Sequence, residues 1–203
     1  MGVITIPELM EMKRRKEPIA MVSTYDYLTA KLVDEAGVDV ILVGDSLAGI
    51  VLGYPNTLPV TMDEMLHHTR AVSRGVQRAL VVGDMPFLSY QASVEEAVRN
   101  AGRFLKEGGA QAVKVEGGRP VLDKIRAIVE SGIPVMGHLG LTPQWVYQLG
   151  GYRVVGKTSD LAAQIIEEAQ ELEKAGVFSL VPECVPWQVA KLVTGKLKIP
   201  TIG

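Results

Sequence analysis

Apolar residues in this chain fall into short runs that stop at turn residues. Val40-Ile41-Leu42-Val43 stops at Gly44-Asp45, and Leu80-Val81-Val82 at Gly83-Asp84. Ala112-Val113-Lys114-Val115 ends on Glu116, just before Gly117-Gly118. Short bounded runs of this kind read as strands buried on both faces, the habit of parallel sheets. Ile19–Ser23, Ile133–Gly137, Phe178–Val181 and Ile199–Ile202 complete seven expected strands.

Helical spacing fills the gaps. Thr5-Ile6-Pro7-Glu8 opens a short helix capped by Thr5. Leu28, Leu32 and Ala36 form one face before Gly37. Thr61-Met62-Asp63-Glu64 is a capping box whose helix ends near Gly75, and Ser93-Val94-Glu95-Glu96 is a second. The latter helix presents Val94, Val98, Ala101 and Leu105 and stops at Gly108-Gly109. Leu122, Ile125 and Val129 precede Gly132; a helix from Asp160 carries Leu161, Ile165, Ala169 and Leu172 to Gly176; Pro186 to Val193 is the last. Two irregular stretches remain: Gly49 to Pro59, long enough for a functional loop or lid, and Gly140 to Lys157, with Trp145, Tyr147 and Tyr152.

Alternating strands and helices, with no linker or low-complexity segment, predict one α/β domain over residues 1–203 with a parallel sheet. Chemistry-bearing residues follow strands two to six. That favours a barrel, since an open doubly wound sheet concentrates them at one switch point. Composition adds exclusions. A 47% hydrophobic and 22% charged chain is globular, and a net charge of −2 gives no electrostatic case for nucleic acid or an anionic membrane. No apolar run reaches transmembrane length, and the order of charges in Met1 to Arg15 is not that of a signal peptide. The single cysteine, Cys184, excludes an internal disulfide and fits a reducing cytoplasm; with no histidine neighbour it reads as an inert buried thiol.

Three strands thus deliver a carboxylate at their C-terminal ends: Asp45, Asp84 and Glu116. One such acid is equally explained as a turn cap. Three together, without a His/Cys cluster, favour a hard cation, Mg²⁺ before Zn²⁺. Lys114 shares a strand face with Glu116, so it is either half of a structural ion pair or a holder of an anionic substrate. His138 follows the fifth strand and stands between a core and a functional reading; His67 and His68 read as surface or packing residues. Glu183 follows an apolar approach that would raise its proton affinity toward that of a general base, or else it serves the dipole of the next helix. Glu116-Gly117-Gly118-Arg119 has a weak likeness to a phosphate-cradling loop.

These residues stand in longer stretches: Met21-Val22-Ser23-Thr24-Tyr25-Asp26, Val43-Gly44-Asp45-Ser46, Gly53-Tyr54-Pro55-Asn56-Thr57, Gly83-Asp84-Met85-Pro86-Phe87, Val113 to Gly118, Gly137 to Gln144, and Pro182-Glu183-Cys184-Val185-Pro186. Taken together, in this order and over essentially the whole chain, they resemble the ketopantoate hydroxymethyltransferase family. The resemblance implies a TIM (β/α)₈ barrel of the phosphoenolpyruvate mutase/isocitrate lyase kind. It implies Mg²⁺ held by Asp45 and Asp84, with Glu116 completing the site partly through water. The 2-oxo acid would meet Asp45, Ser46, Asp84 and Lys114, with His138 close by, and Glu183 would be the proton acceptor. An enolate stabilised by Mg²⁺ and Lys114 would attack the one-carbon unit of 5,10-methylenetetrahydrofolate, and hydration would give 2-dehydropantoate. A cytoplasmic homodecamer follows from the same resemblance.

Members of that family continue past the position of Thr201-Ile202-Gly203 with a last strand and helix, and a full barrel takes ~250 residues. With seven strands, Ile19–Ser23 and Ile199–Ile202 are expected as unpaired edges, with Ile199 and Ile202 exposed and the carboxylates undisturbed. Two rivals share much of this pattern: another Mg²⁺-dependent 2-oxo acid lyase or mutase, which does not require Glu183, and a non-catalytic assembly subunit.

Overall fold

A computed structural model of the chain describes residues 2–203. Six strands form one parallel sheet in the order of the chain: β1 (Met21–Ser23), β2 (Val40–Val43), β3 (Leu80–Asp84), β4 (Ala112–Glu116), β5 (Val135–Gly140) and β6 (Ser179–Glu183). An order that never reverses puts every crossover helix on the same side, because such connections are right-handed. The sheet therefore curls into a barrel wall with helices outside and side chains filling the inside. The helices are α1 (Ile6–Arg15), α2 (Tyr27–Glu35), α3 (Leu47–Ile50), α4 (Met62–Gly75), α5 (Val94–Arg103), α6 (Leu122–Glu130), α7 (Val146–Leu149), α8 (Ser159–Ala175) and α9 (Trp187–Lys196). Among the described residues no helix is long and apolar enough to cross a membrane.

Strand alternation sorts the core in two. Ile41, Val43, Val81, Val113, Val115, Val135 and Leu180 point outward and pack under the helices. Val40, Leu42, Leu80, Val82, Ala112 and Met136 point inward and meet Ile4, Leu9 and Met12, so α1 and its approach cover the N-terminal end of the barrel. Leu9 is fully buried there, a transfer worth roughly 1.5–3 kcal/mol.

Several expected boundaries move. β5 runs on to Gly140, so His138 lies within the strand. β6 runs to Glu183, because its ladder with β5 reaches the pair Gly140–Glu183. α8 starts at Ser159 with Thr158 as its cap, one residue before Asp160. The reciprocal capping box forms at Thr61–Glu64, whereas at Ser93 only the bond from Glu96 N to the serine is made. Gly49 lies in α3, so the expected irregular loop begins two residues later, after Ile50.

Two helix faces also differ. Leu28 and Leu32 are 62% and 58% exposed, while Ala30 and Asp34 turn inward. The cause is polar: the Asp34 carboxylate accepts from the backbone N–H groups of Gln77, Arg78 and Ala79 at 2.8–3.2 Å, a set of charge-assisted bonds that outweighs a two-leucine stripe. On α5 the inward face is Ala97, Ala101 and, beyond its end, Phe104, while Val94 is 40% exposed. Phe104 packs its ring directly on Gly83, which any side chain there would displace.

The seventh strand is reduced to one parallel bridge, Thr201 with Leu180. Leu180 N donates to Pro200 O and Ile202 N to Leu180 O; Pro200 has no N–H to extend the ladder. Ile199 and Ile202 are nevertheless buried, Ile199 in the outer core and Ile202 against the α1 plug. The expectation that they would be exposed fails because α1 and α9 already cover them. β1 does stand at an edge, paired only to β2, with Val22 39% exposed.

Candidate active site

The inward positions change character towards the C-terminal ends of the strands. Leu80 and Val82 are followed on the same face by Asp84, Ala112 by Lys114 and Glu116, Met136 by His138, and Val181 by Glu183. Asp45 arrives from the turn after β2. Asp45, Asp84, Lys114, Glu116 and His138 are each no more than 4% exposed. With Ser46 and Glu183 they line a cavity of about 420 Å³. The sequence-derived site residues are thus all brought to one place.

Register explains the pairing. Asp84 lies beside Lys114, and Glu116 beside His138, on adjacent strands. Lys114 Nζ is 2.8 Å from Asp84 Oδ1 but 3.9 Å from Glu116 Oε1, so the lysine's partner is Asp84 and not the glutamate on its own strand. Asp45 N donates to Asp84 Oδ2 at 3.1 Å. His138 Nε2 lies 3.2 Å from Glu183 Oε2, while Nδ1 lies 3.3 Å from Lys114 Nζ and 3.5 Å from Glu116 Oε1. Ser46 Oγ is 2.9 Å from the Tyr25 hydroxyl.

Burial and crowding set the charges. Burial, with the repulsion of Asp84, pushes the Asp45 carboxyl up to about 8 despite Lys114. Asp84 is also raised, by burial first, with Lys114 opposing. Burial acts against the charged form of Lys114, yet Asp84, Glu116 and Asp45 outweigh it and hold the ammonium charged. His138 is pressed toward neutrality by burial and by Lys114, but its contacts with Glu116 and Glu183 raise it to about 9. Glu116 is lowered despite its burial, through His138 and Lys114.

A divalent cation fits this donor set. Glu116 Oε1 is buried and accepts no hydrogen bond, with His138 Nδ1 3.5 Å away, and burial with the repulsion of Asp84 raises the Asp45 carboxyl. Among the described residues no group of three or more His, Cys, Asp and Glu side chains is placed to hold a metal ion by itself, so a cation here would draw further oxygens from water and substrate, as Mg²⁺ commonly does.

Glu183 differs from expectation. Its side chain is 40% exposed, so the anticipated apolar enclosure is absent, and what fixes it is His138. Gly140, at φ 95, lets β5 pass against the Glu183 carbonyl where any side chain would collide. Cys184 is exposed, not buried, because the chain turns there through a left-handed φ of 46°. The Gly117-Gly118 pair makes no anion cradle: the Glu168 carboxylate packs against Gly118, and Arg119 is taken by Glu167 and Glu171. His67 is exposed and His68 Nδ1 lies 2.7 Å from Tyr25 O, in line with their surface and packing reading.

Two buried residues that sequence reasoning did not single out, Tyr90 and Gln144, complete the cluster. Neither titrates near neutrality. The one signal for Gln144 was its place at the end of the Gly137 to Gln144 stretch.

Comparison with known proteins gives a consistent result. A family model described as ketopantoate hydroxymethyltransferase matches residues 3–203. The 3-methyl-2-oxobutanoate hydroxymethyltransferase of Syntrophus aciditrophicus (strain SB) is 58% identical over 200 residues, covering 98% of this chain and 74% of that protein. The protein of the same name from Moorella thermoacetica is 59% identical over 200 residues, with the same coverage. Among solved structures, oxaloacetate acetylhydrolase superposes with a TM-score of 0.71 at 14% identity, over 98% of this chain and 71% of its own. A 2,3-dimethylmalate lyase of the PEP mutase/isocitrate lyase superfamily gives 0.67 at 16% identity, over 99% and 72%. A phosphonopyruvate hydrolase complexed with oxalate and Mg²⁺ gives 0.67 at 13% identity, over 98% and 80%. At these identities the structures establish the shared barrel fold alone.

Proposed function

The chain belongs to the ketopantoate hydroxymethyltransferase family, and from that premise we propose that its cavity converts 3-methyl-2-oxobutanoate, 5,10-methylenetetrahydrofolate and water into 2-dehydropantoate and tetrahydrofolate. The observation that carries the reading is the buried acid cluster joined through His138 to Glu183 in one cavity. Asp45 and Asp84 would hold Mg²⁺, with Glu116 behind them. Bound there, Mg²⁺ supplies a Lewis acid that polarises the 2-oxo group.

The remaining steps belong to the side chains. Lys114, charged and fixed by Asp84, presents its ammonium to the substrate carboxylate and to the negative charge that develops on the 2-oxo oxygen. Glu183, open enough to reach a ligand yet fixed by His138, takes the proton from C3. The electron pair left on C3 forms the new bond to the one-carbon unit; the two C–N bonds that held that carbon break with their electron pairs on the nitrogens of tetrahydrofolate, which take up the C3 proton and one proton of water, and the water hydroxyl completes the hydroxymethyl group. His138, charged below about pH 9, holds the Glu183 carboxylate in place through Nε2. Ser46, tied to Tyr25, supplies a hydroxyl to the same cavity. A cytoplasmic setting, a single domain over residues 1–203 and a decameric assembly are part of the same proposal. The test is direct: the full polypeptide carrying this sequence, given the oxo acid, methylene-folate and Mg²⁺, forms 2-dehydropantoate. Absence of product under those conditions, with the oxo acid cleaved or untouched, overturns the reading.

A further inference from the structure

Gln144 sits on the turn Pro143–Trp145 after β5, outside the strands that carry the acid cluster, yet it is only 3% exposed. Every polar atom of its side chain is engaged. Nε2 donates to Asp45 Oδ2 at 3.0 Å and to Met85 O at 2.8 Å. Oε1 accepts from the Tyr90 hydroxyl at 2.8 Å and from Gln91 Nε2 at 3.1 Å. Its backbone N donates to Glu116 Oε2 at 3.1 Å.

The network fixes which way the amide points. With oxygen and nitrogen exchanged, the oxygen would face the Met85 carbonyl, which can only accept, and the bond that Nε2 makes there at 2.8 Å would become a repulsion. A neutral donor is thereby aimed at one oxygen of Asp45 by groups from a different loop, while the backbone of the same residue occupies one oxygen of Glu116. The other oxygen of Glu116 accepts no hydrogen bond, with His138 Nδ1 3.5 Å and Lys114 Nζ 3.9 Å away.

We propose that Gln144 is the positioning residue of the cation site: held by Tyr90, it orients Asp45 and Glu116 so that each offers one free oxygen. The proposal rests on the Mg²⁺ reading above, and it adds a residue that is itself no ligand. The phenol ring of Tyr90 is fully buried, and its hydroxyl reaches only Gln144 Oε1 and, at 3.0 Å, Glu116 O. Tyr90 therefore acts on the acids through the glutamine and the β4 backbone, not by contact with their carboxylates.

The test uses Mn²⁺ as a paramagnetic stand-in for Mg²⁺, with free ion counted by EPR in the full polypeptide. Outer partners of metal ligands change affinity by about 10–100-fold when removed. Gln144→Ala is expected to weaken Mn²⁺ binding by about that factor. Tyr90→Phe, which removes only the hydroxyl, weakens it less. The double variant is weaker than Gln144→Ala by less than the effect of Tyr90→Phe alone, because one of the two routes from Tyr90 to the acids runs through Gln144. A merely structural role would lower the melting temperature without this non-additivity. Mn²⁺ affinity within twofold of the unchanged chain in Gln144→Ala overturns the proposal, as do fully additive effects. Should Gln144→Ala fail to fold, unchanged affinity in Tyr90→Phe overturns it alone. If the unchanged chain itself does not bind Mn²⁺, the metal reading falls and this proposal with it; if it binds and the variants bind equally, only the role of Gln144 falls.

Discussion

Val82 and Asp84 stand two residues apart on β3, on the same inward face, and belong to different halves of the barrel. Below, Val82 joins Leu42, Leu80, Ala112 and Met136 in an apolar layer sealed by Leu9 and Met12 of α1. Above, Asp84 joins Lys114, Glu116 and His138 in a layer of equal burial and opposite chemistry. The lower half stabilises by removing apolar surface from water. In the upper half burial raises Asp45 and Asp84, so it stores a demand for positive charge. The difference teaches that burial by itself does not distinguish core from site here; which end of the strand a residue occupies does.

Separable halves respond separately to substitution. The largest effect is expected at the upper layer: Asp84→Asn removes Mg²⁺-dependent binding of 3-methyl-2-oxobutanoate, read by calorimetry with and without the metal, while the fold survives on the lower layer. Unchanged affinity would take Asp84 out of the site. In the lower layer Leu9→Ala opens the plug and costs about 2–5 kcal/mol in denaturant unfolding; metal affinity stays as it was. A parallel fall in affinity would show that the halves are one unit.

A third expectation uses pH. In the metal-free protein Asp45 holds its proton up to about pH 8, against an ordinary 3.8, and His138 up to about 9, against an ordinary 6.5. Both raised values mean that the folded state binds more protons than the unfolded one within those windows. Stability therefore falls as pH rises, from about 4 to 8 for Asp45 and from 6.5 to about 9 for His138. Melting temperature should decline across that range, and Mg²⁺ should restore more of it at pH 8 than at pH 6. A flat profile would deny the crowding. The smallest effect lies outside both halves: Thr61→Ala removes the α4 cap, whose Oγ1 accepts from Glu64 N at 3.2 Å, and costs ~1 kcal/mol with no change in metal binding.

Much of this contrast is visible in the sequence. β2, β3 and β4 announce themselves as apolar runs, and their closing acids fall where parallel sheets place chemistry. What escaped depends on polar contacts between distant segments. Asp34 looks like a surface residue of an amphipathic helix until Gln77, Arg78 and Ala79 arrive to bond it. Lys114 appears to pair with Glu116 along its own strand until register sets Asp84 beside it. Gln144 has neither charge nor period to mark it. Ile202 reads as exposed because the covering of the barrel floor by α1, nearly the whole chain away, leaves no trace in local pattern.

The central claim is that Glu183, facing the acid cluster through His138, removes the C3 proton of the oxo acid. It is tested most directly by following that proton in D₂O by NMR, with Mg²⁺ and no folate, for the unchanged polypeptide and for Glu183→Gln. Rapid exchange is expected in the former and a loss of ~10²–10⁴ in rate in the latter, with oxo-acid affinity retained. Equal exchange rates in the two proteins would contradict it and place the base elsewhere.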